Sequence, residues 1–266
     1  ALNTNGWDGR WFKRAFMDDG NVLGSMENDE CRIDSIAQSW SVISNAGDND
    51  KKFISMESLE NHLIDKENGI VKLLDPPFEK GKLQPGYIKG YLPGVRENGG
   101  QYTHAAVWAI IAEALLGFGD KATEYFKMIN PIEHTRTREA VNKYKVEPYV
   151  IPADIYGASN LAGRGGWTWY TGSASWYYKA GIEYLLGLKI EEGYWYVSYD
   201  NGATWTQLGK AIGEDGKDGQ NGADGKDGDS MFSDIEITTE YIIITLADGV
   251  TKIQIPTWIS LLPQEQ

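Results

Sequence analysis

The chain of 266 residues contains one cysteine, Cys31. An internal disulfide framework is therefore excluded, and a buried thiol is the simplest reading of that residue. Histidine is also scarce. His62, His104 and His134 fall in no C-x-x-C or H-x-x-x-H spacing, which argues against a structural zinc site. Basic charge is short as well, with 25 Lys and Arg against 38 Asp and Glu and a net charge of −13. Without a basic stripe, nucleic acid is not the expected partner. No apolar run approaches the ~20 residues of a membrane span, and no charged start leads into an apolar leader. The chain opens at Ala1 in the middle of an aromatic motif, and so reads as a fragment. A phosphate loop of the G-x-x-x-x-G-K-[ST] type is missing, as is a G-x-G-x-x-G after any expected strand. Ser173 lacks a G-x-S-x-G context and Cys31 lacks an evident histidine partner, so nucleophilic catalysis finds no support.

What the chain does have is 41% apolar residues, enough for a core, arranged in two chemically different parts. From Glu30 to about Gly187 the apolar spacing is helical. ECRIDSIAQSWSVISN puts Ile33, Ile36, Ala37, Trp40 and Ile43 on one face, and THAAVWAIIAEALLGFG directs Val107, Ile110, Ile111, Ala114 and Leu115 inward. Further helices are expected at 50–64, 120–129, 135–143 and 172–187. The connections between them are long and rich in glycine, proline and aromatics, as functional loops are.

After Glu192 the pattern changes. YWYVSYDNGATWTQLG reads as a hairpin around Asp200-Asn201-Gly202, and DIEITTEYIIITLADGVTKIQIP as another around Asp248-Gly249. Between them, glycine recurs every third residue from Gly213 to Gly228 without a proline. That run reads first as a flexible acidic spacer and second as a trimerising collagen-like rod, which would make the chain a homo-oligomer. Calcium held by Asp215, Asp218, Asp224 and Asp227 ranks below a solvated linker. Residues 193–266 carry 12 acidic and 4 basic side chains, most of the negative charge.

GWDGRWFKRAF sets Asp8 between Trp7 and Trp11. Indole faces stack on the C–H faces of a pyranose while an acid reaches its oxygens, yet Asp-Gly between core tryptophans is equally a turn. Glycoside chemistry needs a carboxylic acid for the leaving oxygen, aromatic platforms and polar groups. Asp8, Glu97 in RENGGQYTH, Asp154 in PADIY, and Trp167, Trp169 and Tyr170 in GGWTWYTG supply those types. Taken singly, Glu97 is as readily a helix-entry cap and Asp154 a loop hydrogen-bond acceptor. His104 is either packed at a helix start or part of an anion-friendly pocket with Gly99-Gly100, an arrangement that Thr171 and Gly172 repeat.

GWDGRWFKRAFMDDGNVLGS, NDECRIDSIAQSW, PGYIKGYLPGVRENGGQYTHAAVW, HTRTREAVNKYKVEPYV and GRGGWTWYTGSASWYYKAGIEYLLGLK together resemble the carboxy-terminal part of the glycoside hydrolase family 94 catalytic domain, in its β-1,2-glucan-acting form. The resemblance spans about residues 3 to 190. It implies a mainly α fold, a partial (α/α)6 barrel over 1–192, followed by a small module over 193–266 of hairpin, glycine-rich collagen-like spacer and hairpin. It also implies inverting phosphorolysis of β-linked gluco-oligosaccharides to α-glucose 1-phosphate, with no cofactor and inorganic phosphate as co-substrate. Phosphate arrives anionic, so one acid suffices where an inverting hydrolase needs a base besides.

On this resemblance Asp8 is the general acid, and His104 and Thr171 bind phosphate. Trp7, Glu97, Gln101, Tyr102 and Trp169 are assigned to substrate, and an arginine that completes the family's phosphate site has no counterpart here. Such phosphorylases are cytoplasmic, whereas the second module resembles bacterial cell-surface proteins, and the two halves conflict on compartment. The competing expectation is a non-catalytic carbohydrate-binding or surface-display protein.

Overall fold

The computed structural model describes residues 1–200, 202, 204–211, 213, 231–239 and 241–256. It divides into one unit of residues 1–187 with 200–202, and another of 188–199 with 203–266. Most of the Gly-x-x run, including Asp215, Asp218, Asp224 and Asp227, lies outside the described residues.

The first unit holds α1 (Ser35–Ile43), α2 (Asn49–Leu63), α3 (Thr103–Leu115), α4 (Gly119–Met128), α5 (Arg138–Tyr144) and α6 (Thr171–Lys179), the last running into a wide π-helical turn at Ala180–Leu185. The ends follow local chemistry. Asp34 caps α1 by accepting from Ile36 N at 2.8 Å, and Thr137 caps α5 by accepting from Ala140 N at 3.1 Å. Asn45 and Lys145, with φ of 55° and 58°, turn the chain out of α1 and α5 through the left-handed region.

At the centre stands α3. Val107, Ala109, Ile110, Ile111 and Ala112 are all 0% exposed, and the helix packs on α1, α4 and α6. A helix apolar on every side belongs in an interior, and each buried isoleucine contributes roughly 1.5–3 kcal/mol. Leu115, expected to point inward, is instead exposed, because α3 ends there and Gly117 at φ 85° turns the chain away.

On α1 the buried face is polar. Ser35, Gln38, Ser39 and Ser41 are buried, while Trp40 is exposed and Ile36, Ala37 and Ile43 are only half-buried. Gln38 is the reason. Its amide accepts from Phe12 N at 2.8 Å and donates to Phe12 O and Asp34 O at 2.9 and 2.8 Å, tying the first aromatic segment to α1.

The expected mainly α class does not hold. Helix makes up 33% and strand 21%, the latter in many small antiparallel sheets. Two physical causes produce the strand. Segments outside the helices satisfy their backbones by pairing over two residues: 15–16 with 22–23, 33–34 with 74–75, 64–65 with 70–71, and 101–102 with 154–155. The described part of the second unit is wholly antiparallel sheet, with 194–197 between 188–191 and 206–210, and 241–246 between 232–237 and 252–256. Glu192 and Gly193, at φ 50° and 79°, make the tight turn of the first hairpin. Asp248 accepts from the amides of Val250 and Thr251 in the turn before the last strand. The apolar run Ile242–Ile244 sits on a central strand, so its backbone is paired on both sides.

Candidate active site

The ladder of 101–102 with 154–155 places the candidate residues. It puts Tyr102 opposite Asp154 and Gln101 opposite Ile155, immediately before α3 begins. Gln101 is fully buried and its amide is committed to the scaffold, accepting from Val71 N at 3.0 Å. The next exposed face belongs to Tyr102 and His104. Their rings stack at 5.2 Å and 19°, and Tyr170 meets His104 edge-on at 6.1 Å.

His104, on the first turn of α3, is half-buried, with its Nδ1 buried and unpartnered among the described residues. Burial holds it below the usual histidine range, so its ring is neutral at pH 7. A Cβ on Gly172 would lie 2.9 Å from His104 Nε2, so the first turn of α6 passes directly against the imidazole. Thr171, exposed, is the first residue of α6. The starts of α3 and α6 thus meet at His104 and Gly172, next to Thr171.

Tyr102 also lines a cavity of about 280 Å³, together with Arg14, Asp34, Tyr87 and Glu97. Asp34 is 4% exposed and pairs with Arg14 Nε at 3.3 Å. Burial pushes its carboxyl up to about 6, against the opposing pull of Arg14 and the amides of Ile36 and Ala37. Asp154 is 1% exposed, with one oxygen accepting from Trp167 N at 3.1 Å and the other unpartnered among the described residues. Burial raises its pKa, and the Trp167 amide and Arg96 oppose this.

Asp8 stands apart from this group. Its carboxylate accepts from the Ser25 hydroxyl at 3.3 Å and the Met26 amide, and pairs with Lys13 at 3.6 Å. None of these partners is another candidate. Trp7 packs edge-on to Phe12 at 4.9 Å, with Lys51 over its ring, and Trp11 is a core residue whose indole donates to Gly24 O and Arg32 O. Trp169, at φ 60° and 65% exposed, makes its ring contact with Tyr149. Trp167 has one face covered by the Arg96 guanidinium, 3.4 Å from its centroid. Among the described residues no cluster of His, Cys, Asp and Glu could hold a metal ion.

Reading the sequence missed Arg14, Asp34, Tyr87 and Arg96. For Asp34 a signal existed, since D-S-I-A at the head of an apolar helical period is a capping pattern. The other three carry no local mark.

The His104 imidazole at the start of α3 thus meets the first turn of α6, beside a cavity lined by Tyr87, Tyr102, Asp34 and Glu97. The chain belongs to the glycosyl hydrolase 94 superfamily, whose catalytic domain matches residues 1–187. It is 53% identical over 189 residues to the cyclic beta-(1,2)-glucan synthase NdvB of Rhizobium meliloti, covering 71% of this chain and 7% of that protein. It is 31% identical to the solabiose phosphorylase of Paenibacillus borealis, covering 70% and 24%, and 28% identical to the N,N'-diacetylchitobiose phosphorylase of Vibrio proteolyticus, covering 75% and 24%. The chain thus spans a quarter or less of the length of these relatives. Residues 173–256 match a domain of unknown function. No helix among the described residues is long and apolar enough to cross a membrane.

Proposed function

We propose that this chain is the part of a glycoside phosphorylase that binds phosphate and one sugar, acting on β-linked gluco-oligosaccharides, β-1,2-glucan first, to give α-glucose 1-phosphate. The observation that carries this reading is the meeting of His104 with the start of α6 at Gly172, which gathers Thr171, the α6 amides and a neutral imidazole on one surface. Such a surface supplies donors to inorganic phosphate. Asp8 is the general acid in this proposal, protonating the leaving oxygen after release from Ser25, Met26 and Lys13. Phosphate then attacks the anomeric carbon from the opposite face, and inversion follows. Glu97 and Tyr102, which both line the cavity, hold a sugar hydroxyl face, with Trp7 and Trp169 as flanking aromatics.

The test is orthophosphate-dependent release of glucose 1-phosphate from β-1,2-gluco-oligosaccharides by the complete enzyme that contains this segment. Asp8→Asn is expected to abolish it, and intact activity in that variant overturns the acid assignment. The 266-residue chain alone is expected to bind without appreciable turnover.

A second reading rests on the engaged state of Asp8 and on the exposure of Trp167 and Trp169, at 59% and 65%. It makes the chain a carbohydrate-binding protein without catalysis. Oligosaccharide binding indifferent to phosphate favours it, and binding strengthened by phosphate excludes it.

A further inference from the structure

One oxygen of Glu30 accepts hydrogen bonds from three successive backbone amides, those of Glu79, Lys80 and Gly81, at 2.9, 2.8 and 2.7 Å. Three consecutive N–H groups converging on one point form an anion nest. Here a carboxylate of the same chain fills it from 49 to 51 residues away. A Cβ at residue 81 would fall 2.4 Å from Glu30 Oε2, so a side chain there would displace the carboxylate. Burial pushes the Glu30 carboxyl up, but the three amides and Lys89 outweigh it and hold the group ionised below the usual carboxylate range. The segment beyond the nest is then closed on itself by Lys89, whose ammonium donates to Gly81 O and Leu83 O.

That closed segment is a wall of the 280 Å³ cavity, to which it brings Pro85, Tyr87 and Ile88, facing Arg14, Glu97 and Tyr102. Tyr87 is 69% exposed and, among the described residues, meets another ring at Tyr91 alone, so the path of the loop, more than packing of its own ring, sets where it stands. We propose that Glu30 is a latch for residues 79–91, and through them a positioning residue for a neutral pyranose unit in this cavity.

Neutrality follows from the charges on the walls. Asp34 and Glu97 face a single guanidinium, Arg14, which is already paired with Asp34. A uronate or phosphate entering there meets net negative charge, while a hydroxyl pair finds both donors and acceptors. This inference rests on the carbohydrate reading above for its ligand, but not for the latch.

The experiment uses the whole chain with Glu30→Ala and Glu30→Gln, followed by hydrogen exchange of 79–91 and by calorimetric titration with sophorose. In Glu30→Ala the amides of 79–81 lose protection, residues 82–91 exchange about tenfold faster, and sophorose binds about tenfold more weakly, as loss of charge-assisted bonds to one group predicts. Acetate, which refills the nest with a carboxylate, restores both readouts, and acetamide does not. Should Glu30→Ala fail to fold, Glu30→Gln retains an acceptor oxygen without the charge and shows the same changes at a few-fold size.

Unchanged exchange at 82–91 in both variants, or equal rescue by acetate and acetamide, overturns the latch. Equal wild-type affinity for sophorose and for a glucuronic-acid-bearing disaccharide overturns the neutral subsite. If wild type binds neither sugar while the exchange results hold, the carbohydrate reading falls and the latch stands.

Discussion

Replacing Glu113 with glutamine isolates an electrostatic burden in the helical core. Glu113 lies on α3 at 1% exposure, and neither of its carboxylate oxygens has a hydrogen-bond partner among the described residues. Burial pushes its pKa from the ordinary 4.5 up to about 7; nearby Glu60 adds to this, and Lys121, itself paired with Glu60, opposes it. The gap corresponds to about 3 kcal/mol of folding free energy. Below pH 4.5 the side chain is neutral in both states and folding bears none of this cost. Between 4.5 and 7 the unfolded chain has released the proton while the folded chain still holds it, so stability falls as pH rises. Above 7 the loss is complete. Thermal unfolding followed by far-ultraviolet circular dichroism from pH 5 to 8.5 reads this as a drop of about 6–12 °C for wild type relative to Glu113→Gln. Asp34 titrates in both proteins and cancels in the difference. A wild-type-to-variant gap that stays constant across the range refutes the assignment of a buried, proton-holding Glu113.

The same contacts give further expectations. Gln38→Leu leaves Phe12 N–H and two carbonyls unpaired in the interior, and should cost about 3 kcal/mol by urea denaturation. Asp34→Ala removes the α1 cap and the partner of Arg14 at a cost of about 2 kcal/mol, whereas Asp34→Asn keeps the cap and costs less than half of that. Because the folded Asp34 titrates near 6, above its ordinary 3.8, stability also declines between those values in wild type and not in Asp34→Asn. Gly172→Ala drives a methyl into His104 Nε2, and should weaken phosphate affinity about tenfold, measured by calorimetry, while unfolding temperature changes little.

Helices were legible wherever an apolar period ran for two turns or more, and α3 shows why, since Val107, Ile110 and Ile111 are buried as their spacing requires. Strand in the first unit was not legible. Pairs such as Gln101–Tyr102 with Asp154–Ile155 are two residues long and join positions more than fifty apart, so no alternation could announce them. Periodicity also misled on α1, where Gln38 bonding to the Phe12 backbone outweighs the apolar stripe and turns the serine face inward. A sequence period reports what a helix offers for burial, and a buried hydrogen-bond network decides which offer is taken.

The candidate site divides along the same line. Side chains near a helix start, His104 and Thr171, stood out as candidates because glycines and helix periodicity mark such starts, and the fold brings His104 against Gly172. The cavity's Arg14, Asp34 and Tyr87 come from three separate segments, and Tyr87 stands on the loop that Glu30 ties through the amides of 79–81 and Lys89 closes. Asp8 is the instructive case. Aromatic flanks made its carboxylate conspicuous, but Ser25 and Met26, which hold it, follow Gly24, where φ is 77° and a Cβ would lie 2.7 Å from Arg14 N. These contacts hold Asp8 to its own loop, and a general acid has to reach the leaving oxygen. The reaction proposed here therefore demands that the 24–26 turn release Asp8 when sugar binds, and the geometry of that turn is as much a part of the acid's function as the carboxylate.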